Sequence, residues 1–374
     1  MTKIHVKCLI VLIAALLMAV SAVDARADAA IEIENLAYGS SVPGNLLDLY
    51  LPDVHEAAKL PLIIWLSGSA WYSNTTKDYG SAVAIAEKFT ARGYAVATTS
   101  IRSSLDARFP AQGYDVRAAI RWLRENAAEY DIDPNRFAFM GDSSGGWAAA
   151  FAATTSDIME LPGEEGVNGT SSAVQVAVSF FPATDFLSMD EFAEENNLPI
   201  NINYYPHNSP TSPVGLLIQC PGEPAPVLPL TTTANPDLVS IQDCPVETEA
   251  ADPSSYIDGA EVPIWLLHGL ADSILPYNQS QLVYDTTTAA GNKAKFTLVP
   301  SAGHSFNDII GAAAATTWIT NRDGLETVVE GAGPSWDDID QFLRSNLSVP
   351  EPSTFAGLMA LCLAGLLRRA RREH

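Results

Sequence analysis

Between residues 60 and 347, short apolar runs of strand length alternate with segments of helical periodicity, and few architectures accept that order. The run "LPLIIWL" at 60–66 is apolar at nearly every position, as a strand covered on both faces of a parallel sheet must be. Runs of the same kind follow at 94–101 ("YAVATTSI"), 137–140, 174–180, 263–267 and 295–299. Helical segments fall between or after them, at 82–92, 109–130, 144–153, 279–290 and 336–347. In the second of these, Val116, Ile120 and Leu123 share one face and Arg117, Arg121 and Arg124 another, the pattern of an amphipathic helix. This alternation predicts an α/β fold, with a mostly parallel central sheet and helices on both faces. Two earlier segments, 31–38 and 46–51, have strand character and stop at glycine or proline.

The rhythm fails between Phe186 and Tyr256, a stretch rich in Pro, Asn and Thr and too long for an ordinary connection. Residues of about 186–256 are therefore expected to be an insertion that forms a cap or lid. It holds Cys220 and Cys244, while the other two cysteines, Cys8 and Cys362, lie near the ends of the chain. In an oxidising compartment the Cys220 and Cys244 pair is expected to bridge, closing a loop of roughly 25 residues worth about 3 kcal/mol.

Both ends read as addresses. Lys3 and Lys7 precede an apolar run to Val23, and Ala25-Arg26-Ala27 follows as an A-x-A cleavage site, so residues 1–27 are expected to be a secretory signal peptide. At the other end Pro350-Glu351-Pro352 precedes an apolar stretch from Phe355 to Leu367 and then Arg368, Arg369, Arg371 and Arg372. Residues 350–374 resemble the PEP-CTERM sorting tail of certain Gram-negative bacteria. The resemblance implies export, transient membrane association, handling by a sorting machinery, and delivery to the cell surface or extracellular matrix. The two ends together carry a net charge of +4, so the body between them (28–349, with residue 350) carries −27 where the whole chain carries −23. A body that acidic repels phosphate backbones, which argues against nucleic acid as a partner.

The third strand run leads straight into "FAFMGDSSGGW", in which Gly141 to Gly145 match G-x-S-x-G between a buried strand and a helix. A sharp strand-to-helix turn leaves its middle residue, Ser143, exposed at the strand end, and Gly141 and Gly145 permit the close backbone approach. A serine hydroxyl needs an imidazole to take its proton and a carboxylate to orient that imidazole. Of six histidines, His5 and His374 lie in the ends, His55 in an early loop, His207 in the insertion and His268 within a strand run; His304, in "VPSAGHSF", follows the last strand. Asp272, beyond the fifth run, is the expected acid, with Asp185 at another strand end as its rival. Asp142 reads as structural. Oxyanion donors are expected from the backbone amides of Ser144 and, in the turn after the 60–66 strand, of Ser69 and Ala70.

With the segments "ARGYAVATTSIRSS…GDSSGG" and "HGLADSILPYNQS" followed by "AGH", residues 31–347 resemble the α/β-hydrolase carboxylesterases of the hormone-sensitive-lipase and bacterial feruloyl-esterase-like branch. The resemblance implies an α/β-hydrolase fold, a cofactor-free esterase with the triad Ser143, Asp272 and His304, and a small-molecule or polysaccharide-linked ester as substrate. Where those families have His-Gly-Gly-Gly-Trp, this chain has Ser67-Gly68-Ser69-Ala70-Trp71, and Ser69 and Ala70 adopt unusual φ/ψ less readily than glycine. Two other readings stay open: a prolyl-oligopeptidase-like serine peptidase, for whose propeller there is no room before the first buried strand, and a hydrolase scaffold retained as a surface binding module. No metal site is expected, since no His, Cys and Asp cluster has ligand spacing.

Overall fold

The computed structural model describes residues 31–53, 59–156, 158–164, 169–198 and 206–348. The signal segment, the sorting tail, Cys8, Cys362, His5, His55 and His374 lie outside them.

Ten strands form one sheet: β1 Ile31–Ala37, β2 Leu46–Leu51, β3 Leu60–Leu66, β4 Ala95–Thr99, β5 Ile132–Asp142, β6 Val176–Phe180, β7 Ile264–Gly269, β8 Ala294–Val299, β9 Ala315–Thr320 and β10 Glu326–Gly331. Their order is β1-β2-β4-β3-β5-β6-β7-β8-β9-β10. The strands from β4 across to β8 pair in parallel, and antiparallel strands complete both edges. The β9–β10 hairpin lies outside every strand run read from the sequence. All six residues of β10 are exposed, so no apolar run marks it.

Strand β3 shows why both faces must be covered. Leu62, Ile64 and Leu66 point into a core shared with α2 (Ala111–Glu125) and α3 (Ser144–Thr154). Ile63 and Trp65 point into the opposite core, beneath α1 (Gly80–Thr90) and α9 (Trp336–Leu347). All five are essentially inaccessible, and each contributes roughly 1.5–3 kcal/mol of burial. The arginine face of α2 is covered too. Arg117 and Arg121 pair with Glu164, itself buried, while Arg124 lies 4.5 Å from the Phe137 ring centre and donates to the carbonyls of Pro134, Ser171 and Ala173. The amphipathic pattern here marks a buried ionic seam rather than a solvated surface.

The 186–256 stretch consists of short pieces, α4 (Met189–Glu195), α5 (Pro213–Leu217), α6 (Pro245–Glu249) and 3-10 turns, joined by irregular chain. A disulfide joins Cys220 to Cys244, with Cα atoms 5.6 Å apart. Phe186, Val214, Leu217, Ile218 and Ile241 extend the core that covers α2 and α3. The Trp147 indole donates to the Ala251 carbonyl at 2.8 Å, and Arg108 pairs with Glu223 at 2.8 Å, so α3 and the loop before α2 both grip this stretch. Helices α7 (Asn278–Ala289) and α8 (Phe306–Ile309) flank β8.

Candidate active site

Chain order reverses beside β3, with β4 on one side and β5 on the other, and the crevice beyond the carboxyl ends of such strands is where doubly wound sheets place ligands. The turns after β3, β5, β7 and β8 meet there. Ser143, between β5 and α3, has φ 55° and ψ −120°, a conformation that turns the chain sharply and lifts its hydroxyl off the sheet. The fit of this turn depends on glycine: a Cβ on Gly145 would land on the Leu66 carbonyl oxygen.

His304, after β8, bridges Ser143 and Asp272. Its Nδ1–H donates to Asp272 Oδ2 at 2.7 Å, and its Nε2 accepts from Ser143 Oγ at 2.9 Å. The carboxylate is an acceptor only, so it fixes the proton on Nδ1 and leaves the Nε2 lone pair facing the serine. Asp272 is 1% exposed, and its Oδ1 accepts the Ile274 and Leu275 amides at 2.8 and 3.0 Å. Burial opposes its charge, but hydrogen bonds from His268 and His304 outweigh burial and hold the carboxyl well below the usual carboxylate range. The rival Asp185 instead accepts from the Ser188 amide and hydroxyl at 3.2 and 3.0 Å. Its position after β6 leaves it one strand short of the histidine.

His268 accepts from the Ser280 hydroxyl at 2.8 Å and donates to the Leu275 carbonyl at 3.1 Å, with Asp272 Oδ2 at 3.4 Å. It is a satisfied core residue that also backs the acid. His207, which the sequence places in the insertion, reaches the site. Its ring meets Asp190 Oδ1 and the Ile274 carbonyl, each at 2.8 Å, and lines the cavity over Ser143. Its neighbours Asn208 and Pro206 carry no pattern from which this could have been found. The Phe181 ring packs 4.4 Å from that of His304 and confines it.

The 67–71 turn differs from expectation in one donor. Ser69 N–H is engaged by Ser144 Oγ at 2.9 Å, so it does not open onto the cleft as a free oxyanion donor. The amides of Ala70 and Ser144 make no hydrogen bond within the described residues, and both residues line the cavity at Ser143. Ala70 and Trp71 have φ of 52° and 58°, which costs non-glycine residues about 1–2 kcal/mol each. The Ser67 hydroxyl accepts the Trp65 indole N–H at 2.8 Å and lies 3.3 Å from that of Ser81. Asp142 accepts the Gly68 amide at 3.1 Å, and burial raises its pKa to about 6 against that bond and the nearby His304. Among the described residues no group of three or more metal-ligating side chains occurs.

The cavity over Ser143 is small, about 30 Å³, and mostly apolar. Trp71, Val214, Ile274 and Leu275 form its walls.

Sheet order, the strained serine after β5 and the acid after β7 define an α/β-hydrolase fold. Residues 47–286 match the BD-FAE family, and the chain belongs to it. Residues 256–331 also match a secretory lipase family, and 348–372 match the PEP-CTERM protein-sorting motif. A solved truncated form of a carbohydrate esterase from gut microbiota is 30% identical with TM-score 0.61, covering 75% of this chain and 90% of that one. A bifunctional GH43-CE of Bacteroides eggerthii is 29% identical with TM-score 0.58, over 73% of this chain and 35% of the other. Esterase LipQ of Mycobacterium tuberculosis is 26% identical over 280 residues, which are 74% of this chain and 58% of LipQ. The chain thus spans a little under three-fifths of the length of that curated relative.

Proposed function

We propose that this protein is an exported serine carboxylesterase acting on short acyl esters, acetylated saccharides among them. The observation that carries the reading is the unbroken line from Asp272 Oδ2 through His304 to Ser143 Oγ, with links of 2.7 and 2.9 Å. Ser143 Oγ attacks the ester carbonyl carbon as its proton passes to His304 Nε2. The amides of Ala70 and Ser144 receive the oxyanion. When the tetrahedral species collapses, the carbon–oxygen bond to the alcohol breaks and His304 returns the proton to the departing oxygen. Water, deprotonated by the same His304, then attacks the acyl-enzyme, and Ser143 leaves with its proton restored.

The cavity over Ser143 is narrow and apolar, walled by Trp71, Val214 and Leu275, and this supports a short acyl group in preference to an aromatic one. The saccharide alcohol draws support from relatives described as carbohydrate esterases. The PEP-CTERM match supports delivery to the surface or extracellular matrix of a Gram-negative cell.

The test is hydrolysis of p-nitrophenyl acetate by Ser143→Ala. Turnover should fall by roughly four to six orders of magnitude, and unchanged turnover refutes the assignment. With the native enzyme, acetyl esters should be cleaved faster than methyl ferulate.

A further inference from the structure

Two side chains beside the nucleophile remain without a part in the chemistry above. Asp142 and Ser144 flank Ser143, and each points at the 67–71 turn. Gly68 N–H donates to Asp142 Oδ1 at 3.1 Å, and Ser69 N–H, the next amide along, donates to Ser144 Oγ at 2.9 Å. The two chains are pressed together at this point: a Cβ on Gly68 would lie 2.6 Å from Ser143 Cβ and 2.7 Å from the Asp142 carbonyl oxygen.

We propose that Asp142 and Ser144 are positioning residues that latch the oxyanion turn to the nucleophile turn, so that the Ala70 amide stands at a fixed place relative to Ser143 Oγ. The inference rests on the serine-esterase reading. It follows from what the turn lacks. Ala70 and Trp71 hold positive φ without being glycine, so their backbone has a competing, more comfortable conformation to relax into. Relaxation would rotate the Ala70 amide away from the cleft. The Trp65, Ser81 and Ser67 contacts anchor the start of the turn, and the Ser104 amide, bonded to the Trp71 carbonyl at 2.8 Å, anchors its end. Among the described residues, the hydrogen bonds that tie the middle of the turn to the residues flanking the nucleophile are the two to Asp142 and Ser144.

Because a hydrogen-bond acceptor is what each position supplies, charge on Asp142 is not required for the latch. An Asn side chain presents the same Oδ1 to Gly68, whereas Ala presents nothing. This separates positioning from an electrostatic effect on His304, which Asn and Ala would alter equally.

The experiment compares Ser144→Ala, Asp142→Ala and Asp142→Asn with the native enzyme on p-nitrophenyl acetate, and measures inhibition by a boronic acid that forms a tetrahedral adduct with serine. The two Ala variants should lose roughly 10- to 100-fold in kcat with KM changed less than about threefold, and should bind the boronic acid weaker by the same factor. Asp142→Asn should recover most of what Asp142→Ala loses. Ser144→Ala removes one oxygen atom and serves if Asp142→Ala fails to fold. The latch is overturned if Ser144→Ala keeps native kcat and boronate affinity, if the loss falls on KM instead, or if Asp142→Asn is as impaired as Asp142→Ala. Each of those outcomes leaves the serine reading standing so long as Ser143→Ala is inactive; an active Ser143→Ala sinks that reading by itself.

Discussion

Replacing Asp272 by Asn should disable the site through a forced choice of tautomer. Oδ1 of Asp272 receives two backbone amides, from Ile274 at 2.8 Å and Leu275 at 3.0 Å, so only an oxygen can occupy that position. The NH2 of the new carboxamide must take the place of Oδ2, where His304 Nδ1 now stands 2.7 Å away. Two donors cannot face each other there, so the imidazole proton moves to Nε2 and Nδ1 becomes the acceptor. Nε2 then presents a hydrogen to Ser143 Oγ and cannot take one. With the base unavailable, kcat should fall by about 10⁴, equivalent to about 5.4 kcal/mol of lost transition-state stabilisation. The acid touches no substrate, so KM should change by less than about threefold. Initial rates with p-nitrophenyl acetate for Asp272→Asn, with Asp185→Asn alongside as the rival acid, provide the assay. An Asp272→Asn enzyme that keeps more than a tenth of native kcat would refute the argument, as would an Asp185→Asn enzyme that loses more than Asp272→Asn does.

Asp142, whose pKa burial raises to about 6, holds its proton more tightly in the folded chain than in the unfolded one, so its contribution to stability is full below about pH 4 and is lost as pH rises towards 6. The full shift corresponds to about 3 kcal/mol, which partial exposure reduces to roughly 1–2; Asp142→Asn should gain that much stability relative to native between pH 4 and pH 7 in urea unfolding, and a constant difference would contradict the shift. Glu164 is the carboxylate between the buried guanidinium groups of Arg117 and Arg121, so Glu164→Gln should lose roughly 3–5 kcal/mol, and a loss under about 1 kcal/mol would show the charges are compensated elsewhere. His207 ties Asp190 in the 186–256 stretch to the Ile274 carbonyl, beside the amides that hold the acid; His207→Ala should lower kcat/KM about tenfold, and native kcat/KM would leave the bridge without a role.

How far the sequence could be read divides along physical lines. Parallel strands buried on both faces announce themselves, because every residue of a run such as 60–66 must be apolar, and the strand-to-helix turn at Ser143 announces itself because only glycine fits at Gly145 against the Leu66 carbonyl. His304 is legible as a candidate from its place just after the last strand run and Asp272 from its place after the run before it, and the two side chains meet in the structure. The hairpin of β9 and β10 did not announce itself: Ala315–Thr320 is only half-buried, and Glu326–Gly331 has no buried face to leave a period in the sequence. His207 was hidden for a different reason. Its place is set by tertiary bonds to Asp190 and Ile274 within an irregular stretch, and such bonds leave no local signature. The engagement of Ser69 by Ser144 was equally invisible, since it depends on how closely two turns 75 residues apart approach.

Where local preference and final conformation disagree most is itself informative. Among the described residues, eight non-glycine residues have positive φ, and four of them, Ala70, Trp71, Ser143 and Phe181, lie just beyond the carboxyl ends of β3, β5 and β6. Each touches the proposed chemistry: Ser143 as nucleophile, Ala70 as oxyanion donor, Trp71 as cavity wall, Phe181 as the ring packed on His304. Strain of this kind persists only where the surroundings over-determine the backbone. Here the surroundings are strands buried on both faces, whose side chains have nowhere to move. The stiffness of the central sheet and the strain at its edge are therefore one design, since a looser β3 or β5 would let the turns relax and the oxyanion and nucleophile positions drift apart. The contrast with the 186–256 stretch follows: among the described residues its short helices, joined by irregular chain, carry no such strained turn at the site and contribute the cavity wall through Val214 and His207.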